Sequence, residues 1–340
     1  MDFVISPIKV QELSKISDVS QPVISRKFKE EGSIKSENNR IVGITPSAIQ
    51  QYLTDKGQGH IYKGGAYLFT NCCGGTGKTT SAISVGTSFR RISNPETSPV
   101  VFCDFDSQQS LTSVLYGKPI EEDQPVLVHY LEGKAKLDEL LIQVGRKEDN
   151  LWLIPSNLSN LYLDRVLASP QLIRTAMKKL ILDLFSKFGN QAKIFFDSPP
   201  ALANTTNSLV CAFSELQQDY DTKLVVPLRS DKFSFSGSKL IITELKSLIE
   251  AFNLPDIEKV VFLSSFDKRL KISVDIFKQL LEDPILKEFV SPVVVRHSSE
   301  VSRSHQANRS IYNGATTPIG EDFTDLMLFI MGYERTGGTA

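Results

Sequence analysis

The chain has 340 residues, of which 41% are hydrophobic and 23% charged, a balance typical of an ordinary soluble globular protein. Its formal net charge of -1 excludes a polybasic protein, so any contact with nucleic acid must come from local basic patches. Four cysteines without a CxxC pair favour reduced thiols over a disulfide framework. No apolar run approaches the roughly 18 residues of a membrane span, and we therefore expect a cytoplasmic protein.

The first predicted elements are two short helices. Apolar residues recur at helical spacing in VQELSKIS, and Ser20 is placed to cap the second helix. Val23, Ile24 and Phe28 would form the apolar face of that helix. The pattern is typical of a helix-turn-helix. The side chains predicted to point away from the apolar face are of types that read bases or hold phosphates, and are therefore candidates for DNA binding: Gln21, Ser25, Arg26 and Lys29.

A hairpin and a third helix follow. SIKSENNRIVGI contains two β-prone runs around Asn38 and Asn39, a pair that tolerates the left-handed conformations of a tight turn. TPSAIQQYLTDKG predicts a helix with Thr45 at its N-cap, Pro46 in its first turn and Gly57 at its end. Together these elements predict a winged helix-turn-helix domain over residues 1–57, followed by a linker over residues 58–65.

Residues 66–340 predict an α/β domain. Short apolar runs alternate here with amphipathic helices, which indicates a mostly parallel sheet flanked by helices on both faces. The runs are AYLFTN, PVVFCDF, LWLIPSN, KIFFDSPP, TKLVVPL, KVVFLSS and SPVVVR. Ligands of such sheets bind at the carboxyl ends of the strands, so we expect the functional side chains at that edge.

A glycine-rich loop follows the first of these runs, in the stretch TNCCGGTGKTT. Glycines between a strand and a helix let backbone amides turn towards a phosphate, to which the helix N-terminus adds partial positive charge. Lys78 would reach the β- and γ-phosphates, and Thr79 would hold Mg²⁺. The alternative is a chance glycine loop. The residues of the predicted phosphate site are Gly74, Gly75, Thr76, Gly77, Lys78, Thr79 and Thr80.

These motifs, in this order, resemble the ParA/MinD family of deviant P-loop ATPases. NCCGGTGKTT is similar to the family's NxKGGxGKTT loop, VVFCDFDSQQSLT to its switch I segment and KIFFDSPP to its Walker B segment. Further similar stretches extend the resemblance from about Ala66 to about Gly332. The resemblance implies a P-loop fold with a deviant Walker A loop, ATP and Mg²⁺ as ligands, and hydrolysis of ATP to ADP and phosphate.

The resemblance also implies roles for three aspartates. Asp106 would position the attacking water, Asp104 would lie near the metal and Lys78, and Asp197 would hold the water shell of Mg²⁺ together with Thr79. For Asp104 and Asp106 the alternative is a solvated strand end. Ser107 and Gln109 depart from the family pattern, which predicts slow turnover.

Cys73 occupies the place of the family's signature lysine, which reaches the partner's phosphates in a nucleotide-sandwich dimer. A thiol cannot supply that charge. Three alternatives stay open: another cation substitutes, the dimer is weak, or ATP binds without the usual switching. Arg229 and Lys232, in a stretch that lies near the dimer face in the family, are the candidate substitutes, and both are equally consistent with ordinary surface cations.

Two further arginines match positions at which ParA proteins bind nonspecific DNA: Arg269 in FDKRLKIS and Arg296 in VVVRHSSE, with Arg303 and Arg309 nearby. Each alone is also consistent with a surface residue. The predicted N-terminal domain resembles the extension of larger plasmid ParA proteins that repress their own operon, although many helix-turn-helix units make only protein contacts.

The resemblance implies a partition protein whose ATP-bound homodimer binds nonspecific DNA on the nucleoid and whose release follows stimulation of hydrolysis by a ParB-like centromere-binding partner. Autoregulation at an operator is a further expectation. The alternatives are an ATP-sensing transcriptional regulator and a positioning ATPase for a protein cargo. No membrane contact is expected, because the apolar helix of FTDLMLFIMGYERTGGTA lacks a basic face and would close the core.

Overall fold

The amino-terminal elements are three short helices and a two-stranded hairpin. This computed structural model describes residues 3–29, 31–36, 38, 40–121, 123–200 and 202–334. The elements are α1 Val10–Ser17, α2 Gln21–Lys27, β1 Ser33–Lys35, β2 Ile41–Ile44 and α3 Pro46–Leu53. The strands β1 and β2 pair antiparallel, as expected, while Asn39 of the predicted turn lies outside the described residues. Ser20 and Thr45 occupy the N-cap positions of α2 and α3 without a side-chain capping bond.

The apolar face of α2 is narrower than predicted. Ile24 and Phe28 are buried, but Val23 is 52% exposed. Residues 24 and 28 are four apart and share one face of a helix, whereas residue 23 is rotated by about 100° from residue 24. The prediction that Val23 belongs to the apolar face was therefore wrong.

The chain between α3 and the central sheet is helical. A π-helical turn, Thr54–Gln58, leads into a 3₁₀ turn, Gly59–Tyr62, and Gly57 adopts a positive φ of 83° within the first of them. Ile61 and Tyr62 are buried. The segment predicted as a linker is thus packed against its neighbours, and the domain division at residues 58–65 stays a prediction.

The central sheet has seven strands in the order β5-β6-β4-β7-β3-β8-β9. Only β5 runs antiparallel, at one edge beside β6. The strands are β3 Gly65–Phe69, β4 Val100–Asp104, β5 Ile142–Val144, β6 Leu151–Ile154, β7 Lys193–Asp197, β8 Asp221–Arg229 and β9 Glu258–Ser264. The predicted α/β class with a mostly parallel sheet is confirmed.

Helices cover both faces of this sheet. They are α4 Lys78–Ile92, α5 Ser110–Tyr116, α6 Leu127–Leu131, α7 Leu137–Leu140, α8 Leu163–Val166, α9 Pro170–Phe188, α10 Asn204–Leu216, α11 Lys232–Ala251, α12 Lys271–Glu282, α13 Ser299–Gln306 and α14 Pro318–Ile330. Short 3₁₀ turns occupy Lys147–Asp149, Leu158–Tyr162 and Lys287–Phe289. Successive strand residues point to opposite faces, so Phe195 packs in one apolar cluster and Phe196 in the other.

The first cluster joins α4, α14 and the amino-terminal elements into one core. Arg91 of α4 is buried and forms a 2.7 Å ion pair with Glu12 of α1. The same guanidinium donates to the carbonyl of Ser6 and stacks 4.5 Å from the ring centre of Tyr312. A buried charge with these partners ties the amino-terminal elements to the helix that follows the glycine loop.

The apolar helix near the carboxyl end closes the core, as expected. Phe323 and Met327 of α14 are buried, and Thr324 accepts a 3.1 Å hydrogen bond from Ser88 of α4. Within the described ranges, no helix has the length and apolarity to cross a bilayer. The residues after Glu334 lie outside those ranges.

Candidate nucleotide-binding site

The glycine loop spans residues 70–77, between the carboxyl end of β3 and the first residue of α4. Gly75 and Gly77 have φ angles of 68° and 93°, in the left-handed region that favours glycine. Asn71 is buried and holds the start of the loop: its side-chain amide donates to Pro227 O, and its oxygen accepts from the amide of Cys73 at 3.0 Å. Ser264, at the end of β9, donates to Thr76 O at 2.6 Å. The loop shape is therefore fixed by neighbouring strands.

Lys78 points back over this loop. Its Nζ donates to the carbonyl oxygen of Cys73 at 2.9 Å, and the residue is buried. Burial lowers the pKa of Lys78, while the charges of Asp197 and Asp106 oppose that shift. A cation is thus held at the glycine loop, as binding of phosphate requires.

Two buried carboxylates lie beside the loop. Asp104 and Asp197 are register partners at the ends of the adjacent strands β4 and β7. The hydroxyl of Thr79 donates to Asp197 Oδ2 at 2.6 Å, whereas Asp197 Oδ1 has no hydrogen-bond partner within the described part of the chain. Thr112 donates to Asp104 from its amide and its hydroxyl, at 2.8 and 2.7 Å.

Burial makes these carboxylates hard to ionise. It raises the pKa of Asp104 to about 7, and burial followed by the charge of Asp104 raises the pKa of Asp197 well above its ordinary value. A nearby divalent cation would relieve both effects. Mg²⁺ commonly binds one carboxylate together with substrate phosphates and water. The Thr79 hydroxyl and the unpartnered Asp197 oxygen fit that role. Among the described residues, no group of three or more His, Cys, Asp or Glu side chains could hold a metal unaided, so phosphates and water would be needed to complete the ligands.

The loop opens into a cavity of about 540 Å³. Asp106 lies on its wall; the Asp106 amide donates to Asp104 Oδ1, and its carboxylate accepts from the amide of Gln108. The residues that line the cavity are Gly74, Gly75, Thr76, Gly77, Lys78, Thr79, Thr80, Asp106, Gln108, Ser110, Val114, Pro200 and His305. Sequence reasoning missed His305, because no motif connects it with the glycine loop.

Cys73 packs against α11 and does not extend out of the site, as the signature lysine of the family would. Its Sγ lies 3.3 Å from the carbonyl oxygen of Phe233, and a Cβ added to Gly237 of α11 would come within 2.5 Å of it. The thiol thus fills the contact between the loop and α11. A longer side chain at position 73 would have to leave this contact.

The two candidate substitute cations are placed differently. A Cβ added to Gly75 would lie 3.5 Å from Arg229 Nη1, so the Arg229 guanidinium lies directly over its own glycine loop. Arg229 is half-exposed, and its Nε is 3.6 Å from Asp231. Lys232 is an exposed residue at the start of α11. The structure brings Arg229 to the loop of the same chain.

The buried carboxylates give a prediction for stability against pH. The folded-state pKa of Asp104 exceeds its unfolded value of 3.8, so between about pH 4 and pH 7 the folded protein binds more protons than the unfolded chain. The stability that neutral Asp104 contributes to the nucleotide-free protein is therefore fully present below about pH 4 and is lost as pH rises through this window. We expect Asp104→Asn, which cannot ionise, to match the wild type near pH 3.5 and to be more stable by roughly 3 to 5 kcal/mol near pH 8.

Urea unfolding at both pH values measures this difference, and groups that titrate in both proteins cancel. Asp283 is the control of opposite sign, because hydrogen bonds from Lys239 and two backbone amides outweigh its burial and lower its pKa. Asp283→Asn should be less stable than the wild type above about pH 5. Parallel pH profiles of the wild type and Asp104→Asn would mean that Asp104 ionises in the folded protein without cost.

The two arginine stretches predicted to bind DNA lie side by side. Phe266 and Arg296 form a parallel bridge, and both stretches line one cavity of about 400 Å³ beyond the carboxyl end of β9. Each arginine already has a carboxylate partner. Arg269 pairs with Asp267 at 2.6 Å on the surface, and Arg296 pairs with the buried carboxylate of Asp322 at 2.6 Å. DNA phosphates would have to compete with these carboxylates.

In the amino-terminal unit the predicted base-reading residues lie on α2 or directly after it. Gln21, Arg26 and Lys29 are exposed and Ser25 is half-buried, although Lys29 lies beyond the end of α2. A groove beside α2 is lined by Gln21, Ser25 and the exposed Arg40 of the hairpin. Polar and basic side chains thus surround one side of α2, the arrangement that phosphate or base contacts need.

Comparison with known proteins agrees with this geometry. The sequence matches the family model described as an AAA domain over residues 67–258, more than half of the chain. The cell division protein PomZ of Myxococcus xanthus is 24% identical over 245 residues, which cover 72% of this chain and 70% of PomZ. The chromosome-partitioning ATPase Soj of Treponema pallidum is 25% identical over 217 residues, covering 64% of this chain and 78% of Soj.

Among solved structures, apo McdA of Cyanothece superposes with a TM-score of 0.61 at 20% sequence identity, over 78% of this chain and 99% of McdA. At that identity the likeness shows the shared fold. The family match, the relatives and the glycine loop lead to one conclusion. The chain belongs to the AAA domain family, as a P-loop ATPase of the ParA/MinD type.

Proposed function

We propose that the protein is a DNA partition ATPase. Bound ATP favours a homodimer that binds nonspecific nucleoid DNA, and a ParB-like partner that carries the cargo stimulates hydrolysis and release. The observation that carries the proposal is the convergence of Lys78, Thr79 and Asp197 on a rigid glycine loop, at the sheet edge where the Arg269 and Arg296 stretches also lie. Lys78 would bind the phosphates and Asp106 would orient the attacking water. Mg²⁺, when bound, would neutralise phosphate charge.

The DNA part of the proposal is tested through the Arg269–Asp267 pair. Asp267→Asn removes the competing carboxylate, so we expect DNA affinity in the presence of ATP to rise about two- to fivefold, the scale of a surface ion pair. Arg269→Ala should lower affinity and reduce the slope of log affinity against log salt by roughly 0.9. Fluorescence anisotropy with an arbitrary duplex, at several salt concentrations, measures both quantities.

Arg296 is the less suitable residue for this test. Its guanidinium and its amide bind Asp322, so its loss would leave a buried carboxylate with fewer partners. The neighbouring exposed Lys268 provides a matched control, since Lys268→Ala removes a charge without breaking a salt bridge of the described residues. If Asp267→Asn and Arg269→Ala both bind DNA as the wild type does, this surface is not the DNA-binding site.

Operon autoregulation is proposed for the amino-terminal unit, domain 1–57. Support comes from the exposed Gln21, Arg26 and Arg40 around α2. Deleting the unit would expose Arg91 and part of the first apolar cluster, so Arg26→Ala is the cleaner variant. Loss of operator binding with unchanged binding to arbitrary DNA would support two separate DNA surfaces.

A second candidate function is positioning of a protein cargo. The relatives favour it to the extent that PomZ is named a cell division protein, whereas Soj is named a partitioning ATPase. Both functions use the same nucleotide site. Affinity purification in the presence of an ATP analogue separates them: a centromere-binding protein indicates partition, and a non-DNA-binding partner indicates positioning.

A further inference from the structure

His305 is a nucleotide-site residue that the proposed mechanism does not use. It lies in the last turn of α13 and lines the cavity of the glycine loop together with Thr80, Ser110 and Pro200. Its Nε2 is buried and has no hydrogen-bond partner among the described residues. A buried polar nitrogen without a partner is unfavourable, and a ligand in this cavity would supply the partner once the ring turns Nε2 towards it.

The ring is suited to contact an uncharged or anionic oxygen. Burial lowers the pKa of His305 to about 4, so the imidazole is neutral at physiological pH. A neutral ring with its proton on Nε2 is a hydrogen-bond donor. Phosphate and ribose oxygens of a nucleoside triphosphate accept such bonds, and the cavity contains the loop that would hold the phosphates.

The opposite face of α13 carries a cation. Residues 303 and 305 are two positions apart and therefore about 200° apart around the helix. Arg303 is exposed and bonds only weakly within the described residues, to the backbone and side chain of Ser299 at 3.4 Å. Unlike Arg269 and Arg296, it has no carboxylate within salt-bridge distance in the described part of the chain. One short helix thus joins the nucleotide cavity to a cation at the surface.

We propose that His305 hydrogen-bonds bound nucleotide through Nε2, and that α13 thereby couples nucleotide occupancy to DNA contact by Arg303. The nucleotide contact depends only on the cavity, whereas the coupling rests on the proposed function. His305 acts as a positioning residue: the bound nucleotide fixes the last turn of α13 and with it the direction of the Arg303 side chain.

Titration of ATP into nucleotide-free protein tests the contact. His305→Ala should weaken ATP binding about fivefold, corresponding to one hydrogen bond of about 1 kcal/mol. His305→Gln, which keeps an N–H donor, should recover most of the loss. Gln306→Ala, a change of the exposed neighbour on the same helix, should bind like the wild type. Equal affinities of the wild type and His305→Ala would overturn the contact.

Thermal unfolding separates a ligand contact from a packing role. Since Nε2 lacks a partner without ligand, His305→Ala should unfold no earlier than the wild type in the absence of nucleotide. With saturating ATP its gain in Tm should be smaller than that of the wild type. A lower Tm already without nucleotide, together with an equal gain on adding ATP, would assign His305 to packing alone.

The coupling is tested by DNA affinity with and without a nonhydrolysable ATP analogue, at nucleotide concentrations that saturate every variant. In the wild type, DNA affinity should rise with nucleotide; in His305→Ala and Arg303→Ala the ratio of affinities with and without nucleotide should be smaller than in the wild type. A full ratio in His305→Ala would overturn the coupling. Wild-type protein that binds ATP but no DNA would refute the proposed function and the coupling together, while the affinity titration would still decide the nucleotide contact.

Discussion

Lys78→Ala is expected to abolish measurable ATP binding. The Lys78 ammonium is held over the glycine loop by the carbonyl of Cys73, near the carboxyls of Asp197 and Asp106. Its charge-assisted bonds to two phosphates would each contribute about 1.5 to 3 kcal/mol, so a loss of at least roughly 100-fold in affinity follows. Titration with a fluorescent ATP analogue measures it.

Two variants make this result specific. Lys63→Ala removes an exposed lysine that donates to Gln218 O, away from the loop, and should bind ATP normally. Asp106→Ala should also keep ATP binding but lose hydrolysis, because Asp106 is assigned to the attacking water and not to the phosphates. Retained affinity in Lys78→Ala would remove the loop from the nucleotide site, and normal turnover in Asp106→Ala would remove Asp106 from the reaction.

Arg229→Ala is expected to prevent ATP-dependent dimerisation. The site lacks the signature lysine at Cys73, and the guanidinium of Arg229 lies over Gly75 of its own loop. From there it can bind the phosphate oxygens of a nucleotide in its own loop. In the dimer, the second copy of the chain would approach those oxygens. Loss of one charge-assisted contact in each half should weaken the dimer by about 3 to 6 kcal/mol, more than 100-fold. Sedimentation velocity with a nonhydrolysable ATP analogue gives the dimerisation constant.

The matched control is Lys232→Ala, since Lys232 is an exposed cation at the start of α11. It should dimerise like the wild type. The ATP affinity of monomeric Arg229→Ala, measured at protein concentrations too low for dimerisation, distinguishes two ways in which Arg229 can act. A lower ATP affinity than that of the wild type means that Arg229 binds phosphate within its own chain. An unchanged ATP affinity means that Arg229 acts across the dimer. A wild-type dimer in Arg229→Ala would exclude Arg229 as the substitute cation.

Cys73→Lys probes the same question from the loop. In this structure position 73 packs against Gly237 of α11, so the lysine would have to turn away from that helix. We expect little gain in dimer stability from it while Arg229 is present. A strong gain would show that no cation substitutes in the wild type.

The glycine loop and its acidic neighbours could be predicted from the sequence because local signals specify them. Gly75 and Gly77 adopt the backbone angles that glycine favours, and Asp104 and Asp197 end the two apolar runs that became adjacent strands. Parallel pairing brings such strand ends together whatever the loops between them. That is why residues far apart in sequence could be expected to lie close together, as the structure places them.

One predicted strand, SPVVVR, is not a strand, for reasons outside its own sequence pattern. The run lies beside the edge strand β9: Ser291 donates to Val261 O and Val295 donates to Leu263 O. Between these two hydrogen bonds the chain advances by two residues on β9 and by four residues on the run, so a regular ladder cannot continue. Pro292, within the run, also has no N–H to donate. The strand β5 was not predicted either, because its three residues include the polar Gln143 and form no apolar run.

Other features depend on tertiary contacts that a pattern does not encode. The carboxylate partners of Arg269 and Arg296 come from a tight turn and from α14. His305 reaches the nucleotide cavity because α13 packs near the switch I segment, a placement that follows from the course of the chain after β9.

The bonds that hold the glycine loop have a kinetic consequence. Asn71 ties the loop to β8, and Ser264 of β9 ties it to that strand, in the absence of ligand. The conformational entropy of the loop is therefore already lost during folding. Ordering one flexible residue costs about 1 to 2 kcal/mol, and nucleotide binding avoids that cost over the whole loop. Departure of ADP then needs no refolding of the loop. The time for which the spent nucleotide stays bound is set by the contacts of the ligand and by the segments that cover it.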